Sequence, residues 1–307
     1  MSIEVINTTK IFDKQKALDN VSFKINSGEI VGFLGPNGAG KSTMMRIITG
    51  FIPQTSGEVY VNGLNILENT ISAQQQIGYL PENNPLYLDM YVREYLEFIS
   101  GIFKMKAKLK SKIDEIVEKT GLTIEQNKKI GTLSKGYRQR LGLAQVLIHD
   151  PNVLILDEPT SGLDPNQIIE IRNLIASVGK EKTVMLSTHI MQEVEAICDR
   201  VIIINRGKIV ADDNSENFKK SIDDKTQTIV VEFNAETEAN KLRKIDGVIR
   251  AEMSKDKKNW FIQSKSNTDI RPKVFNFAVG NNLVVLSMQK QEKNLEKIFQ
   301  ELTVGKK

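Results

Sequence analysis

The residues whose types and spacing could do chemistry begin with Gly35-Pro36-Asn37-Gly38-Ala39-Gly40-Lys41-Ser42, a G-x-x-x-x-G-K-S run followed by Thr43. Glycines at this spacing let the backbone wrap closely round a polyphosphate and turn its amide N–H groups inward. A helix starting at the run's end adds its positive dipole end. Lys41 can then reach the β- and γ-phosphates, and the Ser42 hydroxyl can ligate Mg²⁺. The competing account is an ordinary glycine turn. Its neighbours speak against that: Glu29 to Leu34 reads as a buried strand before the run, and Thr43 to Ile48 as the first turns of a helix after it. The loop therefore predicts nucleotide binding.

A second group lies more than a hundred residues on. Val153-Leu154-Ile155-Leu156 runs straight into Asp157-Glu158-Pro159, which predicts a buried strand delivering two carboxylates at its C-terminal end. In open α/β sheets that edge is where ligands sit. Asp157 can hold the Mg²⁺ shell, and Glu158 is placed to polarise a water. Thr183 to His189 repeats the design, ending on His189. By contrast His149, beside Asp150-Pro151, reads as a surface residue, and Cys198 as packing. Ser134, in Leu133-Ser134-Lys135-Gly136-Tyr137, reads as the N-cap of a helix running to about Ile148. Phe12 precedes a polar turn, Asp13 to Lys16, and pattern alone favours a core role for it.

These groups must be positioned by an alternation of strands and helices, and the chain has the means. It has 307 residues, 40% of them hydrophobic, enough for one large domain and a smaller second. No apolar run reaches eighteen residues, so no span is expected, and Met1-Ser2-Ile3-Glu4 does not begin a signal peptide. The single cysteine excludes an internal disulfide and suits a reducing compartment. Residues 1–220 carry 26 basic and 26 acidic side chains, whereas 221–307 carry 16 and 12, so the net charge of +4 belongs to the tail. Its lysines interleave with acids and form no stripe with aromatics, so no nucleic-acid partner is expected.

In order, strands are predicted at Ile3–Ile6, Val21–Ile25, Gly57–Gly63 and Ile77–Glu82, two helices between Val92 and Thr120, and a hairpin over Val201–Ala211. Composition shifts near residue 220. Beyond it the pattern reads β-α-β-β-α-β, the ferredoxin-like order, with a last helix over Glu292–Leu302. Trp260, Val230, Val231, Phe233, Phe261, Phe275, Phe277, Val284 and Leu286 are its expected apolar set. Two roles are open for this tail: a regulatory or dimer-stabilising module, or a small-ligand sensor.

Taken together, the phosphate loop, Leu133-Ser134-Lys135-Gly136, Asp157-Glu158, Ser161-Gly162-Leu163-Asp164 and His189 follow the motif order of the ATP-binding-cassette ATPases, which residues 1–215 resemble. Leu133–Leu141 and Asn294–Phe299 look like its multidrug-export subgroup related to daunorubicin resistance, and Ile77–Tyr91 is similar to the gliding-motility-associated ATP-binding subunit. The resemblance implies an α/β P-loop nucleoside-triphosphatase core with antiparallel β and helical subdomains over 1–220. A small α+β ferredoxin-like domain over 221–307 follows it.

The resemblance also implies Mg²⁺-dependent ATP hydrolysis by a head-to-tail homodimer. Ser134 and Gly136 of one chain would cap the γ-phosphate held by Lys41 of the other, and Asp164 would lie across the interface. Phe12, where the family usually has tyrosine, would stack on adenine. Glu158 would act as base, with His189 on the γ-phosphate. Ser42, Asp157 and Glu82 would serve the metal, Glu82 standing where many members place a glutamine. Leu133–Tyr137 departs too from the family's signature, usually Leu-Ser-Gly-Gly-Gln, with Lys135 replacing its first glycine and Tyr137 its glutamine, while Ser134 and Gly136 are kept. Separate membrane-embedded permease subunits would bind the dimer at the inner face of the cell membrane, with export as the expected direction. Rival classes fit less well. A DNA-repair or chromosome-structure ATPase would insert a long coiled coil in the interval Thr43 to Thr132, a translation factor would carry two cassettes, and a sensing scaffold would lack Glu158.

Overall fold

The strands that deliver the phosphate loop and the carboxylates, β3 (Ile30–Leu34) and β7 (Val153–Asp157), are buried at every position. A side chain such as Ile155 or Leu156, fully removed from water, contributes roughly 1.5–3 kcal/mol, so these runs anchor the sheet. The computed structural model describes residues 2–105, 109–215, 217, 226–254, 259–265, 269–291 and 299. The chain divides into two compact units, one reaching Ser215 and one spanning Glu216–Glu301.

In the first unit, six strands form one sheet in the order β10 (Lys208–Asn214), β9 (Arg200–Asn205), β3, β8 (Thr183–Thr188), β7 and β6 (Ile77–Leu80). All neighbours are parallel except the β9–β10 hairpin. A second, antiparallel sheet has the order β2 (Gln15–Ile25), β1 (Ile3–Phe12), β4 (Ser56–Val61) and β5 (Leu64–Asn65). The first two strands run longer than their apolar alternation suggests, so that Phe12 ends β1 at the mouth of a hairpin. Helix α1 (Lys41–Ile48) buries Met44, Met45, Ile47 and Ile48 in one cluster with Ile3, Val5 and Phe23 of the antiparallel sheet and Phe33, Ile155 and Met185 of the parallel one. That packing fixes the helix whose first residue is Lys41.

Helix α2 (Thr70–Gln74) is short and follows β5. The helical part comprises α3 (Val92–Ile102), α4 (Leu109–Lys119) and α5 (Lys135–Leu147). As the spacing predicts, α3 buries Val92, Tyr95, Leu96 and Ile99. The Tyr95 hydroxyl donates to Gln145 Oε1 at 2.7 Å, which ties α3 to α5, and burial pushes its phenol up to about 12. His149 is not the surface residue expected. Its ring stacks on Phe103 at 3.9 Å and its Nε2 lies 3.1 Å from the Ile77 carbonyl oxygen, with burial pushing its pKa down. Helices α6 (Pro165–Gly179) and α7 (Met191–Ile197) complete the unit. Cys198 closes α7 as a buried packing residue.

The second unit runs β11 (Thr226–Phe233), α8 (Ala239–Leu242), β12 (Val248–Met253), β13 (Asn259–Lys265), α9 (Arg271–Gly280) and β14 (Val285–Gln291). Its antiparallel sheet has the order β12-β13-β11-β14, so the β-α-β-β-α-β reading holds with ferredoxin-like strand order. Its core keeps Val231, Phe233 and Trp260 of the expected set, with Phe277 packed against it, and departs from that set elsewhere. Ile229, Val231, Phe233, Trp260 and Ile262 are the buried set, together with Val274 and Ala278 of α9. Val230 pairs with Phe261 on the opposite face, and Phe275, Val284 and Leu286 are exposed. The helix expected over 292–302 lies outside the described residues except for position 299. Among the described residues no helix is long and apolar enough to cross a membrane.

Candidate functional site

Sheet order decides the site. Because β8 lies between β3 and β7, the C-terminal ends of three strands far apart in sequence lie side by side. Gly35 to Gly40 leave β3 and turn into α1, with Gly40 at φ 111°. A Cβ at Gly40 would stand 2.7 Å from the Ala17 carbonyl oxygen, and one at Gly35 would stand 2.5 Å from that of Ile204. The loop is thus pressed against β2 and β9, and only glycine fits at either place. Lys41 is buried, and its Nζ donates to the Gly35 carbonyl at 2.7 Å.

β7 and β8 run in register, Asp157 opposite Ser187. The Ser187 hydroxyl donates to Asp157 Oδ1 at 2.6 Å and accepts the Glu158 N–H at 2.9 Å, so one side chain orients both acids. Glu158 takes a left-handed φ of 49°, costing on the order of 1–3 kcal/mol, which turns its carboxylate back over the loop. There its Oε1 lies 3.7 Å from Lys41 Nζ, and its Oε2 lies 2.9 Å from His189 Nδ1. Tyr79 of β6 keeps its phenol protonated nearby, raised by burial first and by the Asp157 charge second.

These groups face a cleft of about 630 Å³. Of the residues the sequence singles out, Phe12, Pro36, Asn37, Gly38, Gly40, Lys41, Ser42, Thr43, Glu82, Glu158 and His189 line it. Gly35 and Ala39 form the back of the loop, and Asp157 sits behind Ser187. Phe12 is not core: it is 46% exposed at the cleft's end, with Lys10 Nζ 4.9 Å from its ring centroid. Ser134, Gly136 and Asp164 do not line the cleft. Ser134 caps α5 by accepting the Tyr137 N–H at 3.4 Å, and Asp164 caps α6 by accepting the Gln167 N–H at 3.0 Å. Gly136 lies against Gln167, and the Lys135 ammonium lies over Gly162, so these two segments are neighbours within one chain.

Sequence reasoning missed Gln15 and Ala17 on the cleft wall, and named Ser161 only as part of the Ser161–Asp164 motif without placing it there. It also missed the role of Ser187, whose signal is a hydroxyl pair, Ser187-Thr188, ending an apolar strand. Among the described residues no cluster of three or more His, Cys, Asp or Glu forms a ready metal cage. The oxygen donors Ser42 and Glu82 on the cleft and Asp157 behind it suit Mg²⁺, which takes few protein ligands and keeps phosphate oxygens and water.

A glycine loop on a helix N-terminus, a buried lysine and paired acids at the ends of adjacent parallel strands define a P-loop nucleoside-triphosphatase. The family model described as ABC transporter matches residues 18–161. The chain belongs to the ATP-binding proteins of the ABC transporters. It is 36% identical over 298 residues to the ABC transporter ATP-binding protein YdbJ of Bacillus subtilis (strain 168), covering 96% of this chain and 93% of that one. It is 41% identical to the bacitracin transport ATP-binding protein BcrA of Bacillus licheniformis, over 71% of each. The fold is similar to the dimeric post-hydrolysis state of the cassette MJ0796 bound to ADP and Pi, with a TM-score of 0.63 and 27% identity, covering 69% of this chain and 98% of that chain. The chain is therefore an ATP-binding, ATP-hydrolysing subunit of an ABC transporter, from a family whose cassettes dimerise.

Proposed function

We propose that two copies close head to tail on ATP and Mg²⁺, and that hydrolysis reopens them to drive a separate permease in the direction of export. The observation that carries this reading is the convergence of Lys41, Glu158 and His189 in one cleft, linked through the two oxygens of a single carboxylate. In it the phosphate loop and Lys41 hold the β- and γ-phosphates, with Ser134 and Gly136 of the second chain on the γ-phosphate and Asp164 at the interface. Glu158 accepts the proton of the attacking water, and His189 orients the group that Glu158 polarises. Mg²⁺ at Ser42 and Asp157, with Glu82 in reach, would neutralise charge developing on the phosphates. Phe12 stacks on adenine. Phe12→Ala is accordingly expected to weaken ATP binding by ~1–3 kcal/mol, read by titration with a fluorescent ATP analogue. Unchanged affinity would remove Phe12 from the site.

A transport role is supported by the bacitracin transport relative, and the direction of export rests on the likeness of Leu133–Leu141 to the multidrug-export subgroup. A permease partner is supported by an apolar patch next to the Glu82 loop, where Tyr87, Leu88 and Phe98 are all about half exposed and Tyr87 meets Phe98 edge-on at 5.6 Å. On this reading the subunit sits peripherally on the inner face of the cell membrane. The finer likeness of Ile77–Tyr91 to the gliding-motility-associated subunit rests on sequence alone. For the second unit, residues 221–307 in the sequence reading, we favour a regulatory or dimer-stabilising domain: its core closes on itself, and among its described residues there is no histidine, no cysteine and no cluster of metal-binding acids.

One experiment tests both points. Tagged full-length chain, purified from detergent-solubilised membranes of its own cell, is expected to bring a polytopic membrane protein with it. A chain ending at Ser215 is expected to bind ATP equally and to recover less partner or less dimer. Full-length chain recovered from the soluble fraction alone would count against the transporter coupling. Loss of ATP binding in a folded truncated chain would end the two-domain reading.

A further inference from the structure

Glu193 belongs to no motif, yet it is 2% exposed and both its oxygens are engaged. Oε1 accepts the hydroxyl of Thr160, and Oε2 accepts that of Thr188 at 2.7 Å. Both threonines are equally buried. Thr160 stands two residues after Glu158, in a turn closed by Ser161 N–H to the Glu158 carbonyl at 3.1 Å and by Leu163 N–H to its own carbonyl at 3.2 Å. Thr188 immediately precedes His189, and its hydroxyl also accepts the Ile190 N–H at 3.0 Å, which sets the turn that carries the imidazole. Glu193 itself is held on α7, its N–H bonded to the Ile190 carbonyl at 3.2 Å.

We propose that Glu193 is a positioning residue for ATP hydrolysis, a buried carboxylate that clamps the Glu158 turn to the His189 turn and so holds the contact between those two side chains. Burying a carboxylate costs free energy unless its lone pairs are satisfied. Packing alone would be served as well by apolar residues, since replacing a whole buried polar set by groups of similar shape is often close to neutral. What an apolar set cannot supply is direction. Two hydroxyl bonds to one carboxylate fix the distance between the turns, and the Glu158–His189 contact of 2.9 Å depends on that distance. A misplacement of about 1 Å at reacting groups can cost ~10²-fold in rate.

The inference rests on the assignment of Glu158 and His189 to hydrolysis, so Glu158→Gln and His189→Ala are run beside it. The variants are Glu193→Gln and the apolar triple Thr160→Val, Thr188→Val, Glu193→Leu. Each is expected to melt cooperatively and to bind ATP in EDTA within about threefold of the parent, while kcat falls roughly 10- to 100-fold. The triple variant separates the two accounts: a packing role predicts that restoring a filled apolar interior restores turnover, whereas a clamp predicts that it does not. Parent-like kcat in the triple variant, with Glu158→Gln and His189→Ala slow, would overturn the inference alone. Parent-like turnover in Glu158→Gln would overturn the assignment beneath it and the inference with it. Failure of every variant to fold, Glu193→Gln included, would assign Glu193 to the fold and overturn the inference as well.

Discussion

Glu158→Gln is expected to bind ATP as tightly as the parent and to hydrolyse it roughly 10²–10⁴-fold more slowly, the range that a positioned general base contributes. The substitution keeps shape and backbone. Glutamine tolerates the left-handed φ of 49° no worse than glutamate does, and either can accept the Ser187-anchored geometry through its own main chain. What changes is charge. Lys41 loses the carboxylate 3.7 Å away, which leaves its ammonium free for phosphate, so affinity should hold or rise. His189 loses its carboxylate partner at 2.9 Å, and the carboxylate assigned to take the proton from water is gone. With binding kept and turnover stopped, the variant is expected to elute as a closed dimer when ATP and Mg²⁺ are present. Single-turnover phosphate release and a sizing column check both halves. Parent-like phosphate release would sink the assignment of Glu158 as base.

The individual motifs were legible because their chemistry demands particular residues at fixed spacing. The phosphate loop needs its glycines, and a buried strand ending in two acids can hardly be anything but a delivery device. Sheet order was not legible. Nothing in Thr183 to Thr188 says that this strand inserts between β3 and β7, yet that insertion brings Ser187 to Asp157 and His189 to Glu158. Glu193 was hidden for a related reason. Its partners lie 33 and 5 residues away on different turns, and an acid in the first turn of a helix usually faces solvent and the helix dipole. In the second unit Ile229-Val230-Val231 offers two phases, and only packing against α8 and α9 selects Ile229 and Val231. Helix α9 is apolar on several sides, so its spacing could not show that Val274 and Ala278 are buried while Phe275 is exposed.

The largest effect beyond the base concerns the signature. Within one chain Ser134 is outside the cleft that holds Lys41, with its hydroxyl at the N-terminus of α5. A helix N-terminus presents amide N–H groups and a positive dipole end, so this one is fit to meet phosphate from outside the chain. Ser134→Arg is expected to leave ATP binding by the monomer intact and to block closure. The lost cap costs ~0.5–2 kcal/mol of stability, so a melting curve must accompany the assay. Lys41→Ala should fail for the opposite reason, since its cleft no longer holds the phosphates. Each variant alone is then inactive. When they are mixed, a heterodimer pairs the intact Lys41 of the first with the intact Ser134 of the second at one site, and both lesions fall at the other. ATPase activity should therefore appear on mixing, up to roughly a quarter of the parent rate if subunits exchange freely and sites act independently. In an equal mixture of parent with Glu158→Gln chains, activity above the rough quarter that parent homodimers supply calibrates how much one working site can do. If both groups belonged to one chain's site, the heterodimer would hold two half-broken sites and mixing would yield nothing. Silence in a mixture shown to contain heterodimers, while the calibrating mixture exceeds the share of its parent homodimers, would place Ser134 and Lys41 of one chain at the same site and end the head-to-tail reading.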